Sequence, residues 1–262
     1  VRKGIVQAMA PSAGILASHF PPIQVLYTPY VFKSEEVAWK VMDGWFGKEL
    51  AEALRQKTGL RILAWNENGG FRNFVSARTV LTGPESLKGM KIRTEKVPAS
   101  MEIARALGAN PTPIAWKEVY TSMQTGVVDG MENSVNTFLK SKLEEVSKSM
   151  ILDGHVYSCI AFMINDKFYQ SLPADLQRVI DRAALIANYV NRGLSRNAES
   201  LGIQYMRKRG MVVTEPTPEQ MKVFRQATKE RVRSAIEKKI GKEWVDKLLK
   251  AIAEAEKELG LM

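Results

Sequence analysis

Near the start of the chain the apolar run GIVQAM, residues 4–9, carries adjacent β-branched residues and reads as a buried strand. A loop rich in Pro, Ser and aromatic residues follows, through PPIQVLYTPYVF. Residues 34–55 then place apolar side chains at helical spacing, with Ser34 as the N-cap. Glu35 and Glu36 fall in the first turn, where carboxylates suit the positive end of the helix dipole. The capping box is incomplete, because its third helical position is Val37. Gly59 ends this helix, LRILAW (60–65) predicts a short apolar strand, and NENGGFR a Gly-rich turn.

Residues 71–80 read as extended, and GPESLKGMKIR as a turn, a short helical turn and a strand ending at Arg93. Pro98 suits the first position of a helix that runs to Leu107 and is capped by Gly108. After a turn at 110–113, a helix at 115–124 sets Trp116, Val119, Tyr120 and Met123 on one face. Gly126 caps it, VVDGM is the next strand, and 137–147 is helical. HVYSCIAFMIN (155–165) reads as another buried strand. LPAD then opens a helix that continues to about Lys208, long enough to bridge two lobes. EPTP breaks the chain at 215–218, and the rest is amphipathic helix.

Short apolar strands alternating with helices predict an α/β fold with mostly parallel sheets. One pattern occurs twice: GIVQAMAPS at 4–12 and GVVDGMENS at 126–134. Each copy is a Gly, a strand and a polar turn ending in Ser. Ligands of open α/β sheets bind beyond the carboxyl ends of strands. Ser12 and Asn133 are therefore expected at the lip of a cleft, one from each lobe. By the same comparison Val1-Arg2-Lys3-Gly4 reads as the end of a helix, and a further segment is expected before Val1.

The 262 residues are 45% hydrophobic and 25% charged, which suits one large or two modest globular domains. No apolar run is long enough to span a bilayer, and no signal-peptide pattern is visible. The net charge of +10 admits a nucleic-acid, membrane-surface or anionic-solute partner. Most of the cations, however, alternate with Glu along the C-terminal helices, which describes a solvated helical face. The single cysteine, Cys159, sits in the apolar run SCIAFMI and reads as buried and inert. A Cys159–His155 nucleophile pair would lack an orienting third residue. Two histidines, His19 and His155, are too few and scattered for a His-based metal site.

The segments NGGFRNF, SLKGMKIRT, ALGANPTPIAWKEVYTSMQTGVVDGMENS and LPADLQRVI together resemble solute-binding proteins of TRAP (tripartite ATP-independent periplasmic) transporters, DctP type. The similarity extends over nearly the whole chain, but members begin with a further β-α-β unit not found here. The resemblance implies a two-lobed α/β binding-protein fold with an interlobe cleft and a long bridging helix. The implied lobes are residues 1–70 with 159–198, and 71–158 with 199–262. It also implies a periplasmic receptor without catalysis, metal or cofactor, expected as a monomer, that captures an organic acid and hands it to the membrane permease subunits.

By resemblance, Arg93 makes the bidentate salt bridge to the ligand carboxylate, a task suited to a planar guanidinium and not to Lys. Arg72, in GGFRN, matches a second arginine that helps to hold the ligand, with Arg78 a more structural neighbour. Trp116 matches an aromatic position that packs on the ligand's carbon skeleton, and Asn133 the amide of an Glu-Asn pair whose Glu132 anchors structure. His155, Ser12, Trp65 and Asn68 are further candidates, the last three for the distal part of the ligand. Lys96 follows Arg93 closely and could favour a second carboxylate or face solvent. Each position has an ordinary structural alternative: a strand-end Arg, a core Trp, a turn Asn, a satisfied buried His. Two other functions stay open from the residues themselves, an enzyme acting on a small carboxylate and a basic nucleic-acid or membrane-surface module. The first would need a nucleophile with its base, paired carboxylates or a metal cluster, and none stands at recognisable spacing.

Overall fold

A computed structural model describes residues 1–261. Its centre is a pair of very long antiparallel strands, β2 (Leu60–Ser76) and β6 (Ser149–Asn165). Their register runs from Leu60↔Asn165 to Ser76↔Ser149 and shifts between Glu67 and Phe71. The NENGGFR stretch is therefore not a turn that ends a strand. Gly69 and Gly70 take positive φ (78° and 86°) inside β2, where only glycine enters freely, and the strand continues through them.

Around this pair lie β1 (Ala8–Met9), β3 (Lys91–Thr94), β4 (Asn110–Pro113), β5 (Gly130–Asn133) and β7 (Val212–Thr214). The sheet order is β1-β6-β2-β5-β3-β4, with β7 on β6. The expectation of mostly parallel pairing needs correcting. Pairs β1–β6, β2–β6 and β2–β5 are antiparallel, and β3–β4, β3–β5 and β6–β7 parallel. The two Gly-initiated motifs also differ. The second is a left-handed Gly126 cap followed by buried β5, whereas the first yields only the two exposed residues of β1 at the sheet edge. Val1–Gly4 forms a turn closed by the Gly4 amide on the Val1 carbonyl.

Helices α1 (Glu35–Asp43) and α2 (Trp45–Thr58) divide the single helix expected at 34–55, with Gly44 as the break. Ser34 caps α1 by accepting from the Val37 amide. Next come α3 (Pro98–Ala106), α4 (Val119–Thr125), α5 (Val135–Lys140) and α6 (Asp166–Ser171). A 35-residue helix, α7 (Ala174–Lys208), lies along β2. Its Arg192 bonds both Asp43 carboxylate oxygens, and the Ser195 carbonyl accepts from Asn136 Nδ2. It thus touches residues from both sides of the register break.

Two buried apolar clusters lie under these elements. The larger joins α1, α2, α3 and the C-terminal helices α8 (Pro218–Ile240) and α9 (Lys242–Glu258). The smaller gathers Val119, Met123, Val128, Met131 and Phe138 around α4, β5 and α5. Helix α9 packs on α1 and α2, which the sequence division gives to the first lobe, and α8 packs on α3. The C-terminal pair therefore straps the two sides together.

Candidate functional site

A cleft of about 630 Å³ opens where β3, β5 and the loop after β1 converge. Arg93 stands on one side, near the end of β3, in register with Thr112 of β4 and Met131 of β5. Its side chain is 3% exposed. Nε donates to the Ile114 carbonyl at 3.0 Å, and the guanidinium lies 5.3 Å from the centre of the Trp116 ring. Nη1 is buried without a hydrogen-bond partner. Burial pulls the Arg93 pKa below the usual arginine range, against the charges of Glu132 and Glu95. A guanidinium does not deprotonate in a protein, so the cleft holds a fixed cation with unused donor capacity.

Asn133 ends β5 and lines the same cleft. Its Oδ1 accepts from the Ser134 amide at 2.9 Å, which orients the side chain and leaves its Nδ2 donors available. Trp116, 39% exposed, opens the helical turn Trp116–Glu118 and forms an apolar wall beside Arg93. From the opposite side come Ser12, bridged to Ile160 of β6, and Asn68 of β2. Asn68 Nδ2 donates to Ser158, while its Oδ1 accepts from Thr137. Lys96 reaches the rim and is exposed.

Of the eight residues singled out from the sequence, the structure brings Arg93, Asn133, Trp116, Ser12 and Asn68 to this cleft. It does not bring Arg72, His155 and Trp65 to its walls. Arg72 is 2% exposed and committed to Glu132 through both Nε and Nη2, with further bonds to the Glu132 carbonyl and Ser158. His155, 1% exposed, places Nδ1 2.8 Å from Asp153 and Nε2 3.3 Å from Glu132, with its ring stacked on Phe74. Trp65 is a core residue whose Nε1 donates to the Gly47 carbonyl at 3.0 Å.

Arg72 and His155 meet instead at Glu132, the residue before Asn133. Burial pushes the Glu132 pKa up, but the Arg72 charge and hydrogen bonds from His155 and Arg72 outweigh it, leaving it at about 2. Burial pushes His155 down, and the neighbouring Asp153 and Glu132 carboxylates reverse this to about 9. Glu132 precedes Asn133 on β5, so the ion cluster pins the strand that presents the amide. Among the lining residues that are not candidates from the sequence is an ionisable one, Glu95, whose carboxylate accepts from Ser12 at 3.1 Å and from the Tyr27 hydroxyl. The signal was there, since residues two apart on an extended chain share a face. Among the described residues no three His, Cys, Asp or Glu side chains gather in a way that could hold a metal.

Residues 1–239 match the family described as bacterial extracellular solute-binding protein, family 7 (DctP). The chain belongs to this family. A solute-binding protein of Verminephrobacter eiseniae is 33% identical over 213 residues, 81% of this chain. The match spans 63% of that relative's own length. The sugar acid binding protein DctPAm of Advenella mimigardefordensis, solved with galactonate, superposes with a TM-score of 0.92 at 31% identity. That superposition covers 97% of this chain and 81% of DctPAm. A TRAP periplasmic solute-binding protein from Ochrobactrum anthropi gives 0.86 at 36% identity, covering 98% and 79%. The two-lobed α/β architecture with its long helix is thus the fold of this DctP-family chain. No helix among the described residues is long and apolar enough to cross a membrane.

Proposed function

We propose that this DctP-family protein captures an organic acid outside the cytoplasmic membrane, in the periplasm, and delivers it to TRAP membrane permease subunits. The carrying observation is Arg93: a buried cation lining a 630 Å³ cleft with an Nη1 that no protein group satisfies. Leaving a buried charged donor unpaired is costly, and a ligand carboxylate removes that cost through charge-assisted hydrogen bonds. Asn133 adds an amide donor, and Trp116 covers the ligand's carbon skeleton. The galactonate-bound DctPAm supports an acid as the ligand class.

Arg72 and His155 contribute from beneath, by holding β5 through Glu132, and Trp65 by packing the core under the first side. The bodies that close follow the division drawn from the sequence, 1–70 with 159–198 and 71–158 with 199–262, except that α9, packed on α1 and α2, moves with the first; they flex where β2 breaks register at Glu67–Phe71. Binding is without turnover, and conversion of a bound acid would overturn that part of the reading. Cys159 is buried and its thiol is pushed up to about 12, far from a reactive thiolate. The protein acts as a monomer without cofactor, and the salt-laced C-terminal helices need no nucleic acid. A thermal-shift screen against organic acids, followed by calorimetry with Arg93→Ala, tests the reading. Wild-type affinity in the Arg93→Ala protein would refute it.

A further inference from the structure

An anion cleft is an odd place for a carboxylate, yet Glu95 stands on the same wall as Arg93. They stand two positions apart with only Thr94 between them, about 7 Å of extended backbone. Glu95 is held at both oxygens: Oε1 accepts from Ser12 Oγ at 3.1 Å and Oε2 accepts from the Tyr27 hydroxyl. Its position is therefore fixed by Ser12 from the opposite side of the cleft and by Tyr27, which ends the helical turn Pro21–Tyr27. A carboxylate has about four lone-pair sites, and these two bonds occupy half of them. The rest can take only hydrogen-bond donors. Ser12, with its proton committed to Glu95, likewise offers the cleft an acceptor. The cleft is thus split into a donor end, Arg93 with Asn133, and an acceptor end, Glu95 with Ser12. Lys96 follows Glu95 in sequence, but it is exposed and lies outside this fixed arrangement.

We propose that Glu95 sets the ligand class, accepting hydroxyl groups of an acid whose carboxylate rests on Arg93 and turning away a second carboxylate. This inference rests on the reading of Arg93 given above. The preferred ligands are then polyhydroxy monocarboxylates of four or more carbons. A neutral hydroxyl donates to Glu95 without charge conflict, whereas a carboxylate there meets like charge, and the cation beside it, Lys96, is exposed at the rim.

Calorimetry on the whole protein with 2,3,4-trihydroxybutanoate, galactonate and succinate tests this. At least one hydroxy acid is expected to bind about tenfold or more tighter than succinate. Glu95→Gln keeps the shape, removes the charge and adds a donor, so it should shrink that preference severalfold, mainly by admitting succinate. Tyr27→Phe removes only the supporting bond and should leave the preference in place. The inference is overturned if wild type binds succinate as tightly as the hydroxy acids, if neither hydroxy acid binds, or if Glu95→Gln keeps the wild-type ratio. A Glu95→Gln protein that does not fold leaves the wild-type ratio to decide. Arg93→Ala separates the two readings. If it abolishes acid binding while the Glu95 expectations fail, only the role of Glu95 falls. If it binds every acid as wild type does, the carboxylate anchor falls as well.

Discussion

His155 is the group whose titration should be visible in the stability of the whole protein. It is buried between Asp153 and Glu132, and its pKa is raised from the ordinary 6.5 to about 9. A raised histidine pKa means that the folded state holds the proton more tightly than the unfolded chain. The stabilisation is therefore fully present below pH 6.5 and is lost as the pH climbs through about 9. At about 1.4 kcal/mol for each pH unit, this comes to about 3 kcal/mol between pH 6 and pH 9.5. The assay is urea denaturation at those two pH values, for wild type and for His155→Gln. Wild type should lose about 3 kcal/mol more than the variant across that interval. Parallel losses in the two proteins would refute the reasoning, as would a His155 NMR resonance titrating near 6.5.

Glu132→Gln should destabilise the fold by about 3–5 kcal/mol at neutral pH, because it strands the buried Arg72 charge; chemical denaturation measures it. The depressed Glu132 pKa acts in the other direction: its stabilisation holds above the ordinary 4.5 and is lost as the pH falls through about 2. Trp116→Ala should weaken ligand binding by about tenfold while leaving the melting temperature of the empty protein nearly unchanged, since the side chain is 39% exposed. Gly69→Ala should cost about 1–3 kcal/mol in denaturation, because φ is +78° and the new methyl would meet Ser134 Oγ at 2.6 Å and Asn136 Cβ at 2.8 Å.

Much of the fold was legible where local chemistry and tertiary packing agree. The Ser34 cap and Pro98 at a helix start both speak through neighbours in sequence. What was not legible depends on distant partners. Nothing in NENGGFR announces that β6 will pair across it and carry the strand through two glycines. GIVQAM has the composition of a buried strand, but lies at the sheet edge with Ile5 84% exposed. The site divides in the same way. Arg93, Asn133 and Ser12 end or follow strands, and strand ends face a cleft for reasons readable from the pattern. Arg72 looked the same in sequence, and only the three-dimensional pairing with Glu132 shows that its charge is already answered. Glu95 carries the wrong sign for an anion cleft, so its residue type does not mark it as part of one.

The pairing of β2 with β6 has a consequence for how the molecule assembles. The chain leaves β2 at Ser76, meets its last four residues again only at Gly130–Asn133 of β5, and does not pair along its length until β6 begins at Ser149; the outermost pair, Leu60 with Asn165, waits longer still. Strand pairs so far apart in sequence carry a large loop-closure entropy and belong to slowly folding topologies. The central ladder is therefore a late and shared event, in which both sides of the cleft acquire their scaffold at once. Any fragment ending before β6 would leave β2 as an open edge, paired only at its last four residues with β5, so cutting the chain at one place leaves the central ladder unmade.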